Sequence, residues 1–177
     1  MNEAVDKLNN QAILLAGNGS YREAIACFTR AITLEQDNHL LWYNLGIMFQ
    51  NAGKQDEALL ALERAHEINP EDEDTINSLA VLCFRRDDLA RALIYCADGI
   101  LLNPENPQFW NTLGVVYFNQ QNYEDASIAF EHAVMLNPYY YDALFNLRDT
   151  YEQLGNKNGY EECQKRLQEL KSMEVAR

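Results

Sequence analysis

Trp42-Tyr43-Asn44-Leu45-Gly46-Ile47-Met48-Phe49 and Trp110-Asn111-Thr112-Leu113-Gly114-Val115-Val116-Tyr117 carry one pattern twice, two 34-residue periods apart. Trp, Leu, Gly and an aromatic ring recur at i, i+3, i+4 and i+7, which is one stripe of an α-helix. The period between holds the stripe in looser form, as Ile76, Leu79, Ala80 and Cys83. Pro70, Pro104 and Pro138 keep the same spacing, each after an asparagine (Asn69, Asn103 and Asn137). A fixed period of this length marks a stack of small units instead of one globular core.

With Trp42 at the fourth position of its unit, the chain divides without insertion into 5–38, 39–72, 73–106, 107–140 and 141–174. Each unit reads as two amphipathic helices joined by a short turn. In the second unit Asn51-Ala52-Gly53 ends the first helix, and Ala58, Leu62 and Ala65 form the stripe of the second. The fourth unit repeats this with Ala126, Phe130 and Ala133. Small residues at Gly46, Gly114, Ala58 and Ala126 let antiparallel helices approach closely, and larger side chains fill the space beyond. Proline at the end of a unit cannot continue a helix, so the turn to the next unit starts there.

These residues resemble the tetratricopeptide repeat, whose pattern is W-x2-L-G-x2-Y, then A-x3-F, a small residue and P, at a period of 34. The resemblance covers almost the whole chain. Unit one keeps Leu8, Ala12, Leu15, Ala24, Phe28 and Ala31, with Gln36 in place of proline. The resemblance implies an all-α, right-handed superhelix of five antiparallel helix pairs, a single solenoid domain over residues 1–177. The fifth unit departs most: Arg148 stands where Gly or Ala is expected, Tyr160 for Ala and Gln164 for Phe. Its last helix, Tyr160 to about Met173, is rich in charged and amide side chains and reads as a polar cap on the stack.

Hydrophobic residues make up 47% of the chain and the net charge is −13. The first value supports a buried core and argues against disorder. The second opposes binding to nucleic acid or to an anionic membrane surface. No apolar run approaches the roughly 20 residues of a membrane-spanning helix. The amino-terminal stretch Met1-Asn2-Glu3-Ala4-Val5-Asp6-Lys7 lacks the basic-then-apolar pattern of a signal peptide, and a cytoplasmic location is expected. Cys27, Cys83, Cys96 and Cys163 fall at apolar repeat positions and form no C-x-x-C, so buried free thiols are expected. A Cys83–Cys96 disulfide is a geometrically conceivable alternative.

The first helix of each unit is expected to face a concave groove, as in the family. Its groove stripe, unit positions 2, 5, 6, 9, 12 and 13, is distinct from its packing stripe. From this stripe come the candidate binding residues: Asn9; Tyr43, Asn44 and Ile47; Asn77, Val81, Phe84 and Arg85; Asn111, Val115 and Phe118; and Phe145 and Asn146. Asparagine recurs at position 5 or 6 of every unit, with aromatic rings at Tyr43, Phe84, Phe118 and Phe145. An asparagine amide offers both donor and acceptor and can pair with a peptide backbone of any sequence. This resembles the asparagine ladder of the protein N-acetylglucosaminyltransferase superhelix. The competing reading is that asparagine at this position bonds between neighbouring helices, as is common in the family.

The family's carboxylate clamp for acidic chaperone tails needs Lys and Arg in the third unit of its triplet. Asn44 can serve as its central asparagine, but Asp74 and Ser78 occupy the basic positions, so an acidic chaperone tail is not expected as ligand. Unit four has no Lys or Arg, and Asp142, Asp149 and Glu152 make the last groove segment acidic. The ligand expected is therefore a neutral-to-basic protein or peptide segment bearing apolar side chains. A homo-oligomer is the rival. His39, His66 and His132 occupy unrelated unit positions, and no nucleophile elbow, phosphate loop or zinc-helix motif is present. Asp56/Glu57, Asp87/Asp88 and Glu124/Asp125 stand near starts of second helices, where carboxylates complement the helix dipole. The expected function is non-catalytic protein–protein interaction, with no cofactor and no metal.

Overall fold

The computed structural model describes residues 3–175. Met1 and Asn2, the start of the amino-terminal stretch read above, lie outside the described residues, as do Ala176 and Arg177. The described residues form ten α-helices and no strand: α1 Glu3–Gly17, α2 Tyr21–Leu34, α3 His39–Asn51, α4 Gln55–Ile68, α5 Glu73–Arg85, α6 Leu89–Leu102, α7 Pro107–Asn119, α8 Tyr123–Leu136, α9 Tyr141–Gln153 and α10 Lys157–Val175. The chain divides into two compact units, Met1–Leu82 and Cys83–Arg177.

In the first unit α1 packs on α2, α2 on α3 and α3 on α4. Its core includes Val5, Ala12, Ala24, Phe28, Ala31, Leu41, Leu45 and Met48. In the second unit the same order runs from α6 through α10, and α7 also touches α9. There the core gathers Ala126, Phe130, Ala133, Ala143, Leu144, Leu147, Cys163 and Leu167. The small-residue positions account for the close crossings. A Cβ on Gly46 would stand 2.7 Å from Leu62 Cγ, and one on Gly114 would stand 2.6 Å from the Phe130 ring.

The turn within each helix pair is three residues long, and its middle residue takes a left-handed conformation. These residues are Gly19, Gly53, Asp87, Gln121 and Gly155, with φ between +60° and +75°. The N–H of the following residue donates back into the last turn of the first helix, as in Lys54 to the Phe49 carbonyl at 2.9 Å and Asp88 to the Cys83 carbonyl at 2.9 Å. This is the bonding of a Schellman-type helix stop.

Three of the four turns between pairs use Asn-Pro dipeptides. The side-chain oxygens of Asn69, Asn103 and Asn137 accept from the backbone N–H two residues on, at 3.2, 3.1 and 3.1 Å. Proline between donor and acceptor fixes its own φ for the bend. The next helix is then capped: Asp72 accepts the Thr75 N–H, and Asn106 accepts that of Gln108 with Pro107 at the first helical position.

The last helix begins at Lys157, three residues before the start expected at Tyr160. Asn156 Oδ1 accepts the Gly159 N–H at 3.1 Å and so starts the helix early. Gly159 also lies under the Tyr151 ring, where a Cβ would come within 2.6 Å.

Candidate protein-interaction site

The expected binding residues divide between the two units. In the first, Asn9 on α1, Tyr43, Asn44 and Ile47 on α3, and Asn77 and Val81 on α5 are all half-buried. The Tyr43 hydroxyl bonds with Ser78 of α5. Burial pushes its pKa above the usual tyrosine value, the Ser78 bond opposes the rise, and Asp74 and Asp72 add to it. In the second unit Phe84 is half-buried and Arg85, in the last turn of α5, is exposed.

The remaining candidates gather on α7 and α9. Val115, Phe118 and Asn146 line a recess of about 90 Å³, together with the buried Phe130 and the carboxylate of Asp149. Phe118 is held edge-on to Tyr123, with ring centroids 5.2 Å apart. Asn9 and Arg85 take no part in this recess.

Asn146 Nδ2 donates to Asn111 Oδ1 at 3.1 Å. Asn111 also bonds to the Tyr140 hydroxyl, and this bond works against the rise in Tyr140 pKa that burial and Asp142 produce. At these two positions the asparagines bond between neighbouring helices, which is the second of the two readings above. Asn146 keeps its Oδ1 and one of its two N–H groups.

The profile of the Tetratricopeptide repeat family matches residues 9–73, and that of Anaphase-promoting complex, cyclosome, subunit 3 matches residues 51–133. Anaphase-promoting complex subunit 3 of Schizosaccharomyces pombe is 30% identical over 78 residues, 44% of this chain and 12% of that protein. Photosystem I assembly protein Ycf3 of Sorghum bicolor is 35% identical over 83 residues, 45% of this chain and 48% of that protein. The match thus spans less than half the length of either relative. Among solved structures, MamA 41-end from Desulfovibrio magneticus RS-1 superposes with a TM-score of 0.79 at 16% identity, covering 100% of this chain and 98% of that one. YrrB, a TPR protein with an unusual peptide-binding site, gives 0.69 at 21% identity over 92% and 84% of the two chains.

The chain is built of tetratricopeptide repeats. The repeat places contacts that its signature letters do not reveal. Trp42 Nε1 donates to the Gln36 carbonyl and Trp110 Nε1 to the Pro104 carbonyl, both at 2.8 Å. Each tryptophan ties its repeat to the closing turn of the repeat before. The bond needs only a main-chain carbonyl, so Gln36 serves as well as proline. Trp110 also stacks on His132 at 4.5 Å.

The terminal repeat replaces the small-to-large contact of Gly46/Leu62 and Gly114/Phe130 by a polar pair. Arg148 Nη1 donates to Gln164 Oε1 at 3.3 Å, its Nε and Nη2 donate to Asp149 Oδ1 at 2.9 and 2.6 Å, and its guanidinium lies 4.2 Å from the Phe145 ring centroid. Arg148 therefore closes the stack and orients the Asp149 side of the recess. The sequence marked Arg148 as a terminal adaptation, yet no signal tied it to Asp149.

Two other expectations are resolved by side-chain placement. Of the three consecutive rings Tyr139-Tyr140-Tyr141, Tyr140 packs against the core. Tyr139 is 69% exposed, and Tyr141 stacks on Phe145 at 6.4 Å while staying open to solvent. The cysteines are free thiols: Cys83, Cys96 and Cys163 are buried, and Cys27 is half-buried. Of the acidic pairs, Asp88 caps α6 by accepting the Arg91 N–H, whereas Asp87 is the left-handed turn residue and no cap. Among the described residues no cluster of His, Cys, Asp or Glu could hold a metal, and no helix is long and apolar enough to cross a membrane.

Proposed function

We propose that this protein is a non-catalytic interaction module that binds an extended segment of another protein on the first-helix faces of its repeats. The observation that carries this reading is the recess on α7 and α9, where the half-buried Val115, Phe118 and Asn146 come together around open space. An apolar recess with a few oriented polar groups is the common form of a binding site. An extended segment suits it because side-chain pockets give selectivity while asparagine amides engage the main chain. Relatives of this chain are a subunit of a large complex and an assembly protein, and YrrB is known for a peptide-binding site. These agree with an interaction or assembly role. A neutral-to-basic, apolar-bearing segment fits the net charge of −13.

Affinity capture with the wild-type chain and with an Asn77→Ala/Asn111→Ala double variant tests the reading. The variant is expected to keep its helical circular dichroism and to lose most of the captured partner. Equal capture by both proteins would overturn the assignment of the first-helix face.

A second reading, self-association into a scaffold, is favoured by one observation. Ile94 and Leu101 on α6, and Ile128 and Met135 on α8, project large apolar side chains into solvent, with Leu101 86% exposed. Such exposure is a feature of interaction surfaces. Light scattering over a dilution series separates the readings: a mass independent of concentration excludes this one.

A further inference from the structure

We infer that the recess between α7 and α9 accepts a lysine side chain of the bound segment. This rests on the binding reading above and names the residue that the site selects. The recess has an apolar floor, made by Val115, Phe118 and Phe130. Its polar side is the Asp149 carboxylate and the Asn146 amide. Asn146 gives one of its two N–H groups to Asn111, which fixes the amide and leaves Oδ1 as an acceptor. Asp149 takes both Arg148 contacts on Oδ1, which leaves Oδ2. A group entering here must bring an apolar stem and N–H donors at its tip. Lysine has both: four methylenes and an ammonium with three donors.

Charge favours the same choice. The α7–α8 repeat contains no Lys or Arg, while Asp142 and Glu152 flank Asp149 on α9. The nearest cation, Arg148, has its three donor nitrogens turned to Asp149 and Gln164. An apolar side chain of equal length would fill the floor but leave the acceptors without donors. A carboxylate would face them with like charge.

The test uses the full chain and two short probes, Ac-Ala-Ala-Lys-Ala-Ala-NH2 and its norleucine counterpart, followed by NMR shifts of the Val115 methyls and the Asn146 side-chain amide at low salt. The lysine probe is expected to bind at least about fivefold more tightly, and Asp149→Asn to abolish that preference while the norleucine probe is unaffected. Phe118→Ala, which removes part of the floor, is expected to weaken both probes about threefold or more. Equal binding of the two probes to the wild type, or a lysine preference that survives Asp149→Asn, would overturn the inference and leave the binding face standing. Absence of any shift at Val115 and Asn146, and at Ile47 and Val81 of the other unit, would overturn the inference and the binding reading together.

Discussion

Asn111 and Asn146 are hydrogen-bonded side chain to side chain at 3.1 Å, joining the first helices of the last two repeats. Tyr43 and Ser78 make the corresponding link in the first unit, with the same spacing along the chain. A half-buried amide pair of this kind contributes about 0.5–1.5 kcal/mol net. Asn146→Ala is expected to destabilise the protein by about 1 kcal/mol in urea titrations. The double-mutant cycle with Asn111→Ala should show coupling of similar size. Strictly additive single effects would show that the bond contributes nothing.

Asp87 and Gln121 occupy the left-handed turn position that Gly19, Gly53 and Gly155 fill in the other repeats, at φ +62° and +60°. The left-handed region costs a residue with a Cβ roughly 1–2 kcal/mol, partly offset by the greater unfolded-state entropy of glycine. Asp87→Gly and Gln121→Gly should each raise stability by about 0.5 kcal/mol. A lower denaturation midpoint in either variant would show that the side chain makes a compensating contact.

The division of helices, turns and cap follows from the sequence because the 34-residue period fixes the phase of every apolar stripe. The same alignment would have exposed the Asp87 and Gln121 turns, since three of five positions in that column are glycine. What the sequence left open are bonds set by helix rotation and by main-chain acceptors. Asparagine at Asn111 is equally suited to a ligand or to Asn146, and only the inter-helix geometry decides. The Trp42 and Trp110 bonds end on carbonyls, which every residue has. Arg148 announced a break in pattern but not its contacts, because Asp149 and Gln164 meet it only after α9 and α10 have packed.

Gly99 has a specific partner in Phe109. A Cβ on Gly99 would stand 2.3 Å from the Phe109 ring, and Phe109 is fully buried. Gly99→Ala is therefore expected to cost about 1–3 kcal/mol, as overpacking does. Adding Phe109→Leu should recover part of that loss, seen as favourable coupling in thermal melts. Additive losses would mean that the ring has room to move.

Stability should fall in alkali. Burial raises the Cys96 thiol from its ordinary 9.0 to about 12. Burial is also the leading cause of upward shifts at Tyr43, Tyr140 and Tyr151. Between these limits the unfolded chain has released its proton and the folded chain has not. The unfolded state then binds fewer protons, so stability decreases as pH rises. The full contribution is present below pH 9.0 and is lost on the way to about 12. Cys96 alone should remove about 2 kcal/mol between pH 9 and 10.5. Urea midpoints across this range should decline less steeply in Cys96→Ala; identical slopes would exclude the thiol as a cause.

The binding face is tested most directly by photo-crosslinking. p-Benzoylphenylalanine is placed at Phe118, in the α7–α9 recess, or at Ile128, exposed on α8. Each protein is irradiated in cell extract, and the partner bands are compared. The account predicts a discrete crosslinked partner from position 118 that is absent from position 128. A partner, or a second copy of the chain, crosslinked from position 128 and not from 118 would contradict it.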